Sequence, residues 1–208
     1  MTEVTRRRGR PKSKPDANED TQEALLQAGL AWLTEHGFTG SSLESILRSV
    51  NVPKGSFYHY YRSKEAFGLA VLERYRKFFE YKLDKHLLNE QLAPLDRMQA
   101  FMDDAIRGLE KHQFERGCLI GNLEQEVHAL PISFRDAIEA TYASWQQRVS
   151  ACLRLAQLQG HIPLKHCPDD LAHVFWLGWE GAVTRSRLHH SVAPLRAFGQ
   201  FFLQSVGH

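Results

Sequence analysis

Apolar side chains recur at helical spacing along most of the chain. In the clearest stretch they return every three or four residues on one helical face between Ile138 and Leu153. No segment shows the alternation of apolar and polar residues that marks a half-buried strand. The pattern therefore predicts an all-α protein with about nine helices.

Capping and helix-breaking residues divide this pattern into separate elements. Ser41, followed three residues later by Glu44, has the form of a capping box. The predicted helices run from Asp20 or Thr21 to Gly37, from Ser41 to about Val50, from Lys54 to Tyr60, from Ser63 past Phe78, from Pro94 to about His112, from a break at 117–121 to about Leu130, through Ile138–Leu153 to Gly160, from Pro168 past Ala182, and from Pro194 past Val206. The inner side of the fourth helix is predicted to carry Phe67, Val71, Tyr75 and Phe78.

The first four helices are arranged as in a helix-turn-helix domain, with three short helices and then a long one. The third helix is small, polar and rich in aromatic residues, as a helix that enters the major groove of DNA should be. Pro53 begins it, and Gly55 removes a side chain where the backbone has to approach a sugar-phosphate. Phe57 is predicted to point inward and anchor this helix.

The segment from Lys54 to Gly68 resembles the signature of TetR-type transcriptional regulators, with the sequence K-G-S-F-Y-H-Y-Y-R-S-K-E-A-F-G. With the preceding helix, the resemblance covers roughly residues 20–68. Residues 116–122 (R-G-C-L-I-G-N) and 175–182 (F-W-L-G-W-E-G-A) resemble the branch that contains the acrylate-responsive and N-ethylmaleimide-responsive repressors. The resemblance implies a homodimeric repressor, joined through its last two helices, that binds a palindromic operator. A small-molecule effector then moves the fourth helix and releases the DNA.

The resemblance also implies which residues contact DNA. Those expected along the DNA are Lys54, Gly55, Ser56, Tyr58, His59 and Tyr60, and those expected to clamp phosphates at helix starts are Ser42 and Lys64. Tyr60 or Tyr61 has an alternative role, in which it packs between helices.

Composition adds a second DNA signal. The chain has 208 residues, of which 43% are hydrophobic, and its net charge is only +2. This charge is unevenly distributed, since residues 1–14 have a net charge of +5 and the remaining residues a net charge of −3. Arg8 and Arg10 lie in an Arg-Gly-Arg-Pro segment that resembles an AT-hook, which inserts into a narrow minor groove; the alternative is a solvated basic tail. We expect residues 1–18 to be a disordered arm, 19–65 the DNA-binding domain and 66–208 the effector-binding and dimerisation domain.

Cys118 is the main candidate for a chemical sensor. It follows Arg116 and Gly117 at a predicted helix start, and a cation and a helix N-terminus both lower the pKa of a thiol. The alternative interpretation is a small core residue. Cys152 lies on an apolar stripe and is predicted to be core, while Cys167 is either a resolving thiol or has no role.

A second candidate group lies on the eighth helix and consists of Trp176, Trp179, Glu180 and Arg185. Glu180 is expected to hydrogen-bond an effector, and Arg185 or Arg187 to bind a carboxylate through two hydrogen bonds. Trp176 has an alternative role in the core or an interface. The expected effector is a reactive unsaturated compound or a small carboxylate. The rival hypothesis is a thiol-based repressor that senses electrophiles or oxidants through Cys118.

Several classes of protein are not supported. No apolar run spans a membrane and no secretory signal is visible, and three widely spaced cysteines favour a reducing cytoplasmic compartment. No phosphate loop, nucleophile elbow, paired carboxylates or metal-ligand spacing indicates catalysis, a cofactor or a metal site. The alternative from a different class is a helical small-molecule carrier or enzyme.

Overall fold

The computed structural model describes residues 17–207, and in that range it contains nine α-helices and no strand. The all-α prediction is therefore confirmed. The helices are α1 (Ala17–His36), α2 (Leu43–Ser49), α3 (Lys54–Tyr60), α4 (Lys64–Leu87), α5 (Pro94–Lys111), α6 (Leu119–Gln125), α7 (Ile132–Leu158), α8 (Pro168–His189) and α9 (Ala193–Val206). Arg8, Arg10 and the rest of the arm up to residue 16 lie outside the described residues.

Several helix starts differ from the prediction, and those of α1 and α2 have clear physical reasons. α1 begins at Ala17, so Glu19 and Asp20 lie in its first turn. Carboxylates there stabilise the helix, because they interact with the positive end of its dipole. Ser42 rather than Ser41 caps α2, because its hydroxyl accepts a hydrogen bond from the Ser45 amide at 3.4 Å. Ser41 is buried instead, and its hydroxyl donates to the carbonyl of Gly37.

The DNA-binding half has a small aromatic core. Phe57 is fully buried, as predicted, and its ring lies 5.5 Å from that of Phe67 at the start of α4. Tyr61, buried at the end of α3, contacts both rings. These contacts fix α3 against α4 and leave the opposite side of α3 exposed.

α4, α5, α7 and α8 enclose a second aromatic core, in which the rings of Trp145 and Trp176 lie 4.8 Å apart. The prediction that Phe78 faces inward is wrong, since its side chain is 54% exposed. Phe79 takes the inner position, 4.3 Å from the ring of Trp145, because it lies four residues after the buried Tyr75.

α6 is shorter than predicted and includes Gly121, which was expected in a break. A side chain at position 121 would overlap the carboxyl of Glu180, so the glycine allows α6 and α8 to approach closely. α6 also contacts α1, and it thus lies between the two halves of the protein. None of the described helices is both long and apolar enough to cross a membrane.

Candidate DNA interface and sensor cavity

The outer side of α3 carries most of the predicted DNA contacts. Lys54, Gly55, Tyr58 and His59 are exposed, whereas Ser56 and Tyr60 are partly buried. A Cβ at Gly55 would have no neighbour within 4 Å, so the backbone there is open to a close approach by another molecule. The exposed face is compatible with insertion into a major groove, about 12 Å wide.

Lys54 and Lys64 are among the predicted contacts that already have partners within the protein. Lys54 lies 3.6 Å from Glu44, in an exposed pair that DNA phosphates can outcompete at little cost. The ammonium of Lys64 donates to the carbonyl of Phe38 at 2.7 Å and lies 4.4 Å from the centre of the Phe38 ring. Burial lowers the pKa of Lys64. Lys64 therefore joins α4 to the α1–α2 turn, and its contact with phosphate stays a prediction.

A cavity of about 430 Å³ lies between α1, α4, α5, α8 and the start of α6, with Leu30 and Thr34 of α1 in its wall. Three of the predicted sensor residues, Cys118, Trp179 and Glu180, line it together. The hydroxyl of Tyr75 donates to the sulfur of Cys118 at 3.4 Å, and that sulfur also hydrogen-bonds the carboxyl of Glu180. A thiol, a phenol and a carboxyl thus meet in one apolar chamber.

The expectation of a reactive Cys118 thiolate is wrong for this structure. Cys118 is 8% exposed, and burial, followed by the charge of Glu180, raises the pKa of its thiol well above the usual value. Arg116 gives no compensation, because its guanidinium turns away to Glu35 at 2.9 Å. The thiol is therefore protonated near neutral pH.

Glu180 lies between two cavities. Burial raises the pKa of its carboxyl to about 7, although the hydrogen bond from Cys118 lowers it in part. The second cavity, of about 940 Å³, is lined by Trp176 and Arg185 as well as Glu180. The four predicted residues of α8 therefore divide, with Trp179 facing the Cys118 cavity, Trp176 and Arg185 facing the second one, and Glu180 shared by both.

The other two cysteines are separate from this site. Cys152 is buried, as predicted, and its thiol donates to the carbonyl of Pro94 at 3.3 Å. Cys167 is exposed at the start of α8, 13 residues before Glu180 and hence about 20 Å away along the helix axis. It cannot form a disulfide with Cys118, since bridged Cα atoms lie within about 7 Å. No cluster of three or more metal-ligating side chains occurs among residues 17–207.

The sequence did not indicate the observed roles of three polar residues close to the cavity. Tyr75 was recognised only as part of the apolar stripe of α4, yet its hydroxyl reaches Cys118. Asn122 and Arg187 bond to each other at 3.1 Å and to backbone carbonyls of α1 and its neighbourhood. Arg187, a candidate effector ligand, is thus occupied by protein acceptors. No local signal reveals these roles, because the partners lie 43 or more residues apart in the chain.

A three-helix domain with an exposed recognition helix, joined to a helical domain that encloses a cavity, defines a helix-turn-helix DNA-binding regulator. Comparisons with known proteins support this class. A family model described as bacterial regulatory proteins, tetR family, matches residues 25–71, and one described as tetracyclin repressor-like, C-terminal domain, matches residues 94–202.

Relatives cover almost the whole chain. The transcriptional regulator AcuR of Cereibacter sphaeroides is 45% identical over 196 residues, which make up 94% of this chain and 89% of AcuR. The HTH-type transcriptional repressor NemR of Escherichia coli K12 is 34% identical over 178 residues, or 85% of this chain and 88% of NemR. A crystal structure of regulatory protein TetR from Rhodobacter sphaeroides has a TM-score of 0.87 at 44% identity, covering 88% of this chain and 97% of that one.

The chain belongs to the TetR family of bacterial transcriptional regulators. The resemblance found in the sequence is confirmed, including its branch, because AcuR and NemR are both among the relatives. The relatives are named regulators and repressors, and the protein is accordingly a DNA-binding regulator and not an enzyme.

Proposed function

We propose that the protein is a cytoplasmic homodimeric repressor that a small unsaturated carboxylate releases from a palindromic operator. The observation that carries this proposal is the convergence of Cys118, Trp179 and Glu180 on one cavity. A volume of about 430 Å³ lies within the range of small-molecule sites and has room for a compact acid. The apolar walls suit the carbon skeleton, and the protonated carboxyl of Glu180 can donate a hydrogen bond to the anion.

The mouth of the cavity favours an anion. The cavity is lined by two carboxyl groups, those of Asp104 and Glu180, and by four cationic side chains, those of Lys82, Arg107, Lys111 and Arg116. Arg116 pairs with Glu35, so the excess of positive charge comes from the other three cations. Asp104 pairs with Lys82 at 2.9 Å, and Lys111 is exposed at the surface. This excess of positive charge raises the local concentration of an anionic ligand at the entrance.

An exposed, largely apolar stripe on α8 supports the proposed homodimer. On the side of α8 turned away from the core, exposed residues follow one another at helical spacing: Val174, Leu177, Gly181, Thr184 and Leu188. Phe201 extends the exposed apolar surface onto α9, where it is 69% exposed. Pairing α8 and α9 with their copies in a second chain covers this surface and places two recognition helices on one face. We assign residues 19–65 to DNA binding and 66–208 to effector binding and dimerisation.

A thiol-based sensor is the second candidate, favoured by the position of Cys118 in the cavity wall. A buried neutral thiol is a poor nucleophile, so covalent sensing needs a base, and Glu180 is hydrogen-bonded to it. The thiol proton then moves to Glu180 as sulfur adds to the β-carbon of an activated alkene. The α-carbon takes up a proton, so the addition needs no oxidant.

Replacing Cys118 by serine separates these two candidates. We expect sodium acrylate to release operator DNA from both wild type and Cys118→Ser, because reversible binding needs no thiol. N-ethylmaleimide should release only the wild type if Cys118 is the group it modifies. Fluorescence anisotropy of labelled operator measures both, with Cys167→Ser as the exposed-cysteine control. Loss of acrylate release in Cys118→Ser contradicts the reversible mechanism, and full release of that variant by N-ethylmaleimide contradicts the covalent one.

Deletion of residues 1–14 tests the arm. We expect weaker operator binding and a smaller slope in a plot of log K against log salt, because fewer counterions are released. The slope should fall by up to about five units for each protomer of the dimer. Two variants with equal loss of charge distinguish the modes of binding. If the arm enters the minor groove, Arg8→Ala with Arg10→Ala weakens binding to A·T-flanked operators more than Arg6→Ala with Arg7→Ala. An unchanged salt slope after the deletion contradicts any DNA contact by the arm.

A further inference from the structure

The C-terminal end of α1 is completed by groups from the other half of the protein. In a continuing helix, the amides of Phe38 and Thr39 would donate to the carbonyls of Thr34 and Glu35. Here Gly37, with φ of +74°, ends the helix and directs both amides elsewhere. Two carbonyls and two amides of the DNA-binding domain therefore need partners from outside it.

The two carbonyls accept hydrogen bonds from α6, from the residue before Cys118 and from α8. The Asn122 side chain donates to the carbonyl of Thr34 at 2.8 Å, and the Gly117 amide donates to the same oxygen at 3.2 Å. Arg187, on α8, donates to the carbonyl of Glu35 at 3.3 Å and to the side-chain oxygen of Asn122 at 3.1 Å. Asn122 is thus the junction between α1, α6 and α8.

Glu126, immediately after α6, accepts hydrogen bonds from the two amides. Its carboxylate accepts hydrogen bonds from the amides of Phe38 at 3.1 Å and Thr39 at 2.7 Å, and from the Thr39 hydroxyl at 2.6 Å. A Cβ at Gly37 would overlap this carboxylate, so the turn and Glu126 fit each other closely. One short segment of chain, residues 117–126, therefore holds both the end of α1 and the turn that leads to α2.

The same segment forms a wall of the cavity. Cys118 caps α6 and faces the cavity, and Gly121, adjacent to Asn122, touches the carboxyl of Glu180. Arg187 lies seven residues, or about two helical turns, after Glu180 on the same face of α8. A molecule that displaces Cys118 or Glu180 thus moves α6 or α8, the helices that carry Asn122 and Arg187, and these two side chains bond the end of α1.

We propose that Asn122, with Arg187 and Glu126, couples the cavity to the DNA-binding domain by completing the hydrogen bonds at the end of α1. When the cavity is occupied, α6 shifts relative to α8, these bonds rearrange, and the α1–α2 turn releases the recognition helix from its DNA-competent position. The inference rests on the proposed effector cavity and adds the residues that transmit its occupancy. Asn122 is a positioning residue and does not line the cavity.

Asn122→Asp tests the coupling because it is isosteric, keeps an acceptor for Arg187 and removes the donor to α1. The measurement is the operator Kd with and without sodium acrylate, together with acrylate binding to DNA-free protein by tryptophan fluorescence. We expect acrylate to raise the operator Kd about tenfold or more in wild type and less than about threefold in Asn122→Asp, with similar acrylate affinity. Gln125→Ala, on α6 but facing Thr184, is the matched control and should respond as wild type does.

A second measurement does not depend on the effector. Gly121→Leu inserts a side chain between α6 and α8 and acts as a permanent occupant. We expect it to weaken operator binding about tenfold alone but less than about threefold in the Asn122→Asp background. Additive effects of the two substitutions, or normal acrylate release of Asn122→Asp, would overturn the coupling role. If acrylate fails to release wild type from the operator, the proposed effector is wrong. The comparison of Gly121→Leu in the wild-type and Asn122→Asp backgrounds then still tests the coupling.

Discussion

Replacing Lys54 and Tyr58 together by alanine is expected to weaken specific operator binding by about 100-fold or more without loss of folding. Both side chains lie on the exposed face of α3, and Tyr58 is 52% exposed, so neither supports the core. Each contact with a phosphate or base edge is worth about 1–3 kcal/mol, and a loss of 1.4 kcal/mol is tenfold in affinity. Anisotropy titrations with an operator selected from random duplexes by the wild type measure the effect.

The matched control is Lys77→Ala with Tyr81→Ala. These residues have the same types and similar exposure, but they lie on α4 more than three turns beyond its start. The control should bind the operator as wild type does, and circular dichroism should show the same helix content for both variants. Equal loss of binding in both, or no loss in either, contradicts the assignment of α3 as the recognition helix.

The sequence predicted the helices and the helix-turn-helix well because their signals are local. Ser63 caps α4 with its hydroxyl 3.0 Å from the Ala66 amide, and α3 begins at Lys54 and ends at Tyr60 as expected. Most errors were also local, and the largest at a helix end concerns α6, which ends at Gln125 and not near Leu130. Ser41 and Ser42 both suit a capping position, and only the packed structure shows that Ser41 is turned toward Gly37. Phe78 and Phe79 are adjacent, so a one-residue error in helical phase exchanged the buried ring for the exposed one.

The sensor site was predictable only in part, because its chemistry depends on contacts between distant segments. The motif around Cys118 identified the right thiol, but the expected cation, Arg116, pairs with Glu35, which is 81 residues away in the chain. Glu180 was recognised as a ligand candidate, whereas its position between two cavities depends on the close approach of α6 and α8 at Gly121. Asn122 and Glu126 resemble ordinary polar helix residues until α1 is packed beside them.

Acrylate binding is expected to weaken as the pH rises through about 7, because the pKa of Glu180 is about 7. Below that pH the neutral carboxyl donates a hydrogen bond to the ligand carboxylate, and above it two anions repel each other, with a loss of up to about tenfold per pH unit. Three other groups facing Glu180 stay protonated in this range, because burial raises the pKa of Cys118, Tyr75 and Tyr142. The charge of Glu124 adds to the effect of burial in raising the pKa of Glu180. Burial, followed by Arg116 and Lys111, lowers the pKa of His112 at the mouth, so that residue is neutral there.

Glu180→Gln should remove this pH dependence, since glutamine keeps the hydrogen-bond donor and cannot ionise. It should also change stability. The folded-state pKa of about 7 exceeds the ordinary value of 4.5, so the folded protein binds more protons between these values, and its unfolding free energy falls as the pH rises from about 4.5 to 7. The fall attributable to Glu180 is on the order of 2–3 kcal/mol and should be absent in the variant.

Isothermal titration with acrylate between pH 6 and pH 8.5, together with urea unfolding between about pH 4.5 and pH 8, checks both expectations. Glu139→Gln is the control, because the Glu139 carboxylate lines only the second cavity, whereas the pKa of Glu180 is raised by burial and by Glu124. The sign of the pH effect also distinguishes the two sensing mechanisms. Reversible binding weakens with rising pH, whereas addition of Cys118 to an alkene accelerates as Glu180 ionises and can accept the thiol proton. A release rate that rises with pH in wild type and stays low in Glu180→Gln therefore contradicts reversible binding and favours covalent sensing with Glu180 as the base.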